Sequence, residues 1–193
     1  MAELFPEQKR KVRKPLLWIG LTSIVMTFAG LTSGYVVSRS ALMAESRWLQ
    51  FGLPQMFTYA TVAIVLASFA LVWARRSAKT GNVDQVKTGV GIALLMGIAF
   101  AVLQALGWQQ LIDNGYYFTG ENSNTAVSWV YVLTGLHWLH VISGIIVLIV
   151  TFIRATKNAY TKENHLGLEL SCIYWHFLDI LWIYLFCFLV FIR

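Results

Sequence analysis

Charge is what this sequence has least of. Asp, Glu, Lys and Arg make up 12% of its 193 residues, about half the usual share of a soluble domain. So few charged side chains cannot form the polar shell that a water-exposed globule needs, and a freestanding soluble enzyme domain is excluded. Cysteine occurs only twice, at Cys172 and Cys187, too few for a disulfide framework. The two lie on one predicted helix, roughly 22 Å apart along its axis. They cannot pair with each other and read as small buried apolar residues. Internal repeats and low-complexity tracts are missing, and so is the strand-like alternation of a β-barrel. Phosphate loops, nucleophile–base pairs and paired carboxylates are also missing, so nothing points to a catalytic centre built from this chain alone.

What the sequence has in quantity is apolar residues, 58% of the total, which excludes disorder. A transmembrane helix needs about 20 mostly apolar residues. Five stretches qualify, at about 16–38, 54–74, 88–112, 126–153 and 171–192, and the first three contain no Asp, Glu, Lys, Arg or His. The expected fold is all-α: one polytopic membrane domain over 1–193, a bundle of five transmembrane helices with loops too short for a separate soluble domain. Residues 1–15 form a basic tail with a small amphiphilic stub, Leu4 and Phe5, suited to the membrane surface. The basic segment before span one resembles the start of a signal peptide, but the apolar run is too long for one and reads as a retained helix. A net charge of +6 would suggest nucleic acid in a soluble protein. Here it marks topology. Twelve of the Lys and Arg residues fall in the tail and in the segments after spans two and four, against three, Arg39, Arg47 and Arg193, on the other side. This places the N-terminus in the cytoplasm and the C-terminus outside. The outer loop 113–125 carries Asp113 and Glu121 without Lys or Arg, and Tyr116, Tyr117, Phe118 and Trp129 flank it as an interfacial aromatic belt.

Ionisable groups in hydrocarbon are costly and mark something functional. There are four: His137 and His140 on span four, His176 and Asp179 on span five. Each pair is three residues apart and shares a helix face. With span five starting near Ser171, Asp179 lies roughly 12–14 Å below the cytoplasmic end, so the pairs could meet at mid-depth or each bond locally. Three readings fit: hydrogen-bonded glue between helices, axial haem ligands, or a proton relay. Gln104, Gln109 and Gln110 on span three read as interhelical hydrogen bonds. Gly30 and Gly34 form a Gly-x-x-x-Gly pattern that Ser23 and Thr27 extend, a small face for close approach within the chain or against another subunit.

Span five begins Tyr174-Trp175-His176-Phe177-Leu178-Asp179-Ile180-Leu181-Trp182, which closely resembles the signature helix of subunit III of the haem–copper oxidases. His165-x-Gly167-x-Glu169 resembles the approach to that helix. Thr134-Gly135-Leu136-His137-Trp138-Leu139-His140 and the following Val141-Ile142-Ser143-Gly144 resemble the family's second motif. Gly97, Phe100 and Gln104 fall at its span-three spacing. The resemblance covers about residues 16–193 and is closest to the five-span bacterial form. It implies a subunit without haem or copper of its own, beside a haem–copper catalytic subunit I and a copper-bearing subunit II, in the bacterial inner membrane. Structural phospholipids lie in a cleft, and the subunit supports assembly, stability and proton or oxygen supply. His137, His140, His165, Glu169, Trp175, His176 and Asp179 become lipid-cleft or structural polar residues, with Gly30, Gly34 and Gln104 in helix contacts. The sequence departs from the family at two intramembrane glutamates: Ile24 stands after Ser23 on span one, and Gly107 and Trp108 stand on span three. The runners-up are an accessory protein of a nitric oxide reductase and a stand-alone haem-b anchor. Whether cytochrome c or quinol donates electrons is decided in a partner subunit.

Overall fold

The computed structural model describes residues 6–120, 123–160 and 165–192, with side chains from Lys11 onward. The Leu4–Phe5 stub and the charges of Lys9, Arg10, Glu121, Lys162 and Arg193 lie outside what is described. Among the described residues there are five helices and no strand: α1 (Pro6–Ala44), α2 (Gln55–Thr80), α3 (Val83–Asp113), α4 (Thr125–Thr156) and α5 (Leu166–Phe191). All five are long and apolar enough to cross a membrane.

Each helix outruns its apolar core. α1 begins ten residues before the expected span and carries Pro15 inside it. Polar flanking turns still close their own backbone hydrogen bonds, and a solvated flank tolerates the one amide that proline removes. α5 starts at Leu166 rather than near Ser171, so Asp179 is roughly 20 Å along its helix, deeper than the apolar run implies.

The surface is the reverse of a soluble protein's. Phe69, Leu95 and Ile180 are each about two-thirds exposed (68%, 65% and 67%), a ring of large apolar side chains fit for hydrocarbon. Cys187 belongs to that surface. Cys172 is buried as expected, but Cys187 is exposed, because it falls on the outward face of α5 with Ile180, Tyr184 and Phe191.

α2 and α3 form the tightest pair. Gly81 (φ 84°) ends α2 in the left-handed conformation, and the Asn82 side chain caps α3 by accepting from the Gln85 amide. Alanines 60, 63, 67, 70, 74 and 78 of α2 are buried, and Ala70 and Ala74 meet Gly89 of α3. A Cβ on Gly89 would sit 2.8 Å from the Ala74 Cβ, so glycine sets how close these helices come. α1 is the outlier. Among the described helices it leans only on α4 and α5, through one narrow stripe of Leu21, Phe28, Thr32 and Tyr35. The start of α1, the end of α2 and the start of α5 meet at one end of the bundle, called here the basic end.

Candidate functional site: a polar and aromatic seam

The seam runs down the contact of α3, α4 and α5. At its centre His137 is fully buried. Its ring stacks on Trp182 of α5 (centroids 5.3 Å apart, 27° between planes) and meets Phe100 of α3 edge-on (5.9 Å, 89°). Phe28 of α1 approaches both His137 (6.4 Å) and His140 (5.8 Å). Such edge and offset contacts suit the aromatic quadrupole. Neither His137 ring nitrogen has a hydrogen-bond partner among the described residues. His140 turns back on its own helix, its Nδ1 lying 2.8 Å from the Leu136 carbonyl oxygen. A carbonyl can only accept, so this nitrogen carries the proton.

Trp175 is the wedge between helices. It is buried at the crossing of α5 with α3 and α4, and the position opposite it on each neighbour is glycine. A Cβ on Gly97 would lie 2.5 Å from its ring, and one on Gly144 would lie 3.3 Å from it and 2.7 Å from Leu178. Indole N–H groups tie the helices further: Trp182 to Thr61 Oγ1 (2.9 Å), Trp108 to Thr134 Oγ1 (3.0 Å) and Trp138 to the Ala101 carbonyl (3.1 Å). Hydroxyls join α4 to α5 through Ser143 with Tyr174, and Thr151 with Ser171.

The two ionisable pairs do not converge. His176 is half-buried and lines a cavity with Val72, Arg75, Arg76 and Lys79. Asp179 is buried, and its Oδ1 meets no hydrogen-bond partner among the described residues. Trp182, one turn beyond Asp179, is what reaches His137. Among the described residues, no three His, Cys, Asp or Glu side chains come together where they could hold a metal ion.

At the basic end, Glu169 in the first turn of α5 accepts from Lys14 of α1 (Nζ, 2.7 Å) and Arg75 of α2 (Nη2, 3.3 Å). One carboxylate therefore gathers three helices. His165 stands at the N-cap of α5 without a side-chain cap bond. Tyr160, beyond the end of α4, is buried, and that burial pushes its hydroxyl above the usual phenol range.

Several sequence expectations need correction. Of the two alternatives for the small face, Gly34 packs within the chain, its Cβ position 3.0 Å from the Trp129 ring, while Gly30 faces open space, which leaves it the alternative of contact with another subunit. Ser23 and Thr27 are exposed beside it, their hydroxyls bonded to carbonyls of their own helix. Gln104 is fully buried as interhelical glue would be, yet its amide finds no partner among the described residues. Gln109 bonds to Asp113 one turn away instead of to another helix. Lys14 and Arg75 escaped the reading of the sequence, because a partner 155 or 94 residues distant leaves no local signal.

Between α1 and α5 lies an apolar groove of about 380 Å³, walled by Phe28, Ala29, Phe177 and Leu181 and closed at one edge by the hydrogen bond from Tyr184 to Thr32 Oγ1 (3.2 Å).

Comparison with known proteins decides the family. The family model described as cytochrome c oxidase subunit III matches residues 17–192. The chain belongs to the cytochrome c oxidase subunit III family. The subunit is 32% identical over 186 residues to a probable cytochrome c oxidase subunit 3 of Nocardia farcinica, covering 92% of this chain and 86% of that protein. It is 33% identical over 177 residues to the probable subunit 3 of Mycobacterium leprae, covering 91% and 85%. Against subunit 3 of Hippopotamus amphibius the identity is 33% over 129 residues, 65% of this chain and 46% of that longer protein. Family membership makes the subunit an accessory part of an oxidoreductase complex in a membrane. The span-five resemblance is the stretch in which Trp175 and Trp182 do their wedging and stacking.

Proposed function

We propose that the subunit is the non-catalytic third subunit of a bacterial haem–copper terminal oxidase, in the inner membrane with its N-terminus in the cytoplasm. It holds the catalytic subunit in working order during oxygen reduction and takes part in neither electron transfer nor the chemistry. Haem and copper belong to subunits I and II. The observation that carries this reading is the family match across almost the whole chain. The seam is consistent with it, since His137 and His140 are engaged by aromatic rings and a backbone carbonyl.

The α1–α5 groove supports a lipid and oxygen role. Its walls are apolar and open to the outer surface, which suits an acyl chain, and oxygen, itself apolar, partitions into the same hydrocarbon. The positions where relatives carry glutamates are filled here by packed side chains: Ile24 lies against the core, and the space beside Gly107 is taken by the Phe57 ring. Any support for proton uptake therefore runs through other groups, with the cations and Glu169 at the basic end as the candidates.

The test is an oxidase purified from a strain lacking this chain. It should keep its haem spectrum and its initial oxygen-reduction rate, and lose activity sooner during turnover. An enzyme without haem would contradict the reading, and so would a Soret band on the isolated subunit that vanishes with His140→Ala.

A further inference from the structure

The cavity beside His176 holds more positive charge than the described residues neutralise. It measures about 260 Å³ and is lined by Arg75, Arg76, Lys79, His176 and Val72. Glu169 can offset one unit, and it divides that unit between Arg75 and Lys14. The Nε of Arg75 is buried without a hydrogen-bond partner. Arg76 and Lys79 form no ion pair among the described residues. Cations gathered this closely at the edge of a low-dielectric bundle repel one another and favour an anion among them.

The face of α2 below the cavity indicates what carries that anion. Tyr59, Val62, Leu66, Phe69 and Trp73 are 40–68% exposed, and their spacing of three and four makes one continuous stripe. The next step of the stripe is Arg76. A free anion would leave this apolar track unused, whereas a phospholipid fills both parts.

We propose that this cavity is a headgroup site for an anionic phospholipid, whose phosphate is held by Arg75, Arg76 and Lys79 while an acyl chain follows the stripe from Tyr59 to Trp73. The site is separate from the α1–α5 groove. It rests on the reading of the chain as a membrane subunit, but its test reads lipid class, not assembly.

The delipidated oxidase complex is incubated with equal phosphatidylglycerol and phosphatidylcholine, and retained lipid is identified by native mass spectrometry. Phosphatidylglycerol should be kept in preference. Arg76→Gln with Lys79→Gln should lower its retention about tenfold or more, as expected for two interfacial cations. Lys87→Gln with Lys157→Gln removes equal charge elsewhere at the basic end and should leave retention unchanged. Equal losses in the two double variants would overturn the site, reducing it to diffuse surface charge. Complete displacement by millimolar inorganic phosphate would overturn the lipid assignment in favour of a free anion. Subunit content is read in the same spectra, so a failure of the assembly reading is seen separately.

Discussion

At Gly97 and Gly144 a single methyl group decides whether α5 fits. A Cβ on Gly97 would lie 2.5 Å from the Trp175 indole and displace the ring, and one on Gly144 would press on the ring at 3.3 Å and on the Leu178 side chain at 2.7 Å. Gly97→Ala and Gly144→Ala should each destabilise the bundle by about 1–3 kcal/mol, the usual range for overpacking. Gly135→Ala, where a Cβ would meet nothing within 4 Å, should be neutral. Thermal unfolding in detergent separates the three. Asp179 poses the opposite problem. Its buried Oδ1 has no hydrogen-bond partner among the described residues, and replacing a buried charge by a packed apolar side chain is often neutral or stabilising. Asp179→Leu should therefore leave the isolated subunit at least as heat-stable as wild type. In the assembled enzyme it should loosen the subunit or shorten working life with haem signals intact. Lost haem at unchanged subunit content would contradict this.

At the scale of the helix, α1 is the element held least by apolar contact, and the Lys14–Glu169 ion pair is its anchor at the basic end. The pair is mostly shielded, with the Glu169 side chain 10% and the Lys14 side chain 28% exposed, so it should exceed the ~0–1 kcal/mol of a surface bridge without reaching the cost of breaking a wholly buried one. Lys14→Met should raise hydrogen exchange in the first turns of α1 and leave α2 and α3 protected. Equal exchange across all helices would contradict the assignment of Lys14 as a local anchor. The existence of all five helices was legible in the sequence, because an uninterrupted apolar run of this length has few other uses. Their ends were not, since the turns before Leu16 and Ser171 carry charges, Lys14 and Glu169, that break the apolar runs although the helices continue through them. The seam was half legible. Spacing alone put His137 and His140 on one face, and resemblance alone singled out Trp175. That His137 would stack on Trp182, that Cys187 would face outward, and that Gly30 would lie open depended on how α1 and α5 rotate against their neighbours, which no local pattern encodes.

For the whole molecule, the uneven distribution of Lys and Arg predicts an orientation. A reporter active only outside the cytoplasm, fused after residue 193, should be active, and the same reporter fused in the 81–82 turn should be silent. The reverse pattern would invert the bundle and move the cationic cavity to the outer face. The open side of α1, with Gly30, Ser23 and Thr27 exposed, and the ring of exposed apolar side chains show a bundle made to be surrounded by lipid or other subunits. The most direct test of the central claim is native mass spectrometry of the intact purified assembly. The subunit should appear, without haem or copper of its own, in one particle with a haem–copper catalytic subunit and a copper-bearing partner. A particle in which this chain itself carries haem, or in which its catalytic partner holds a haem–iron centre, would contradict the account.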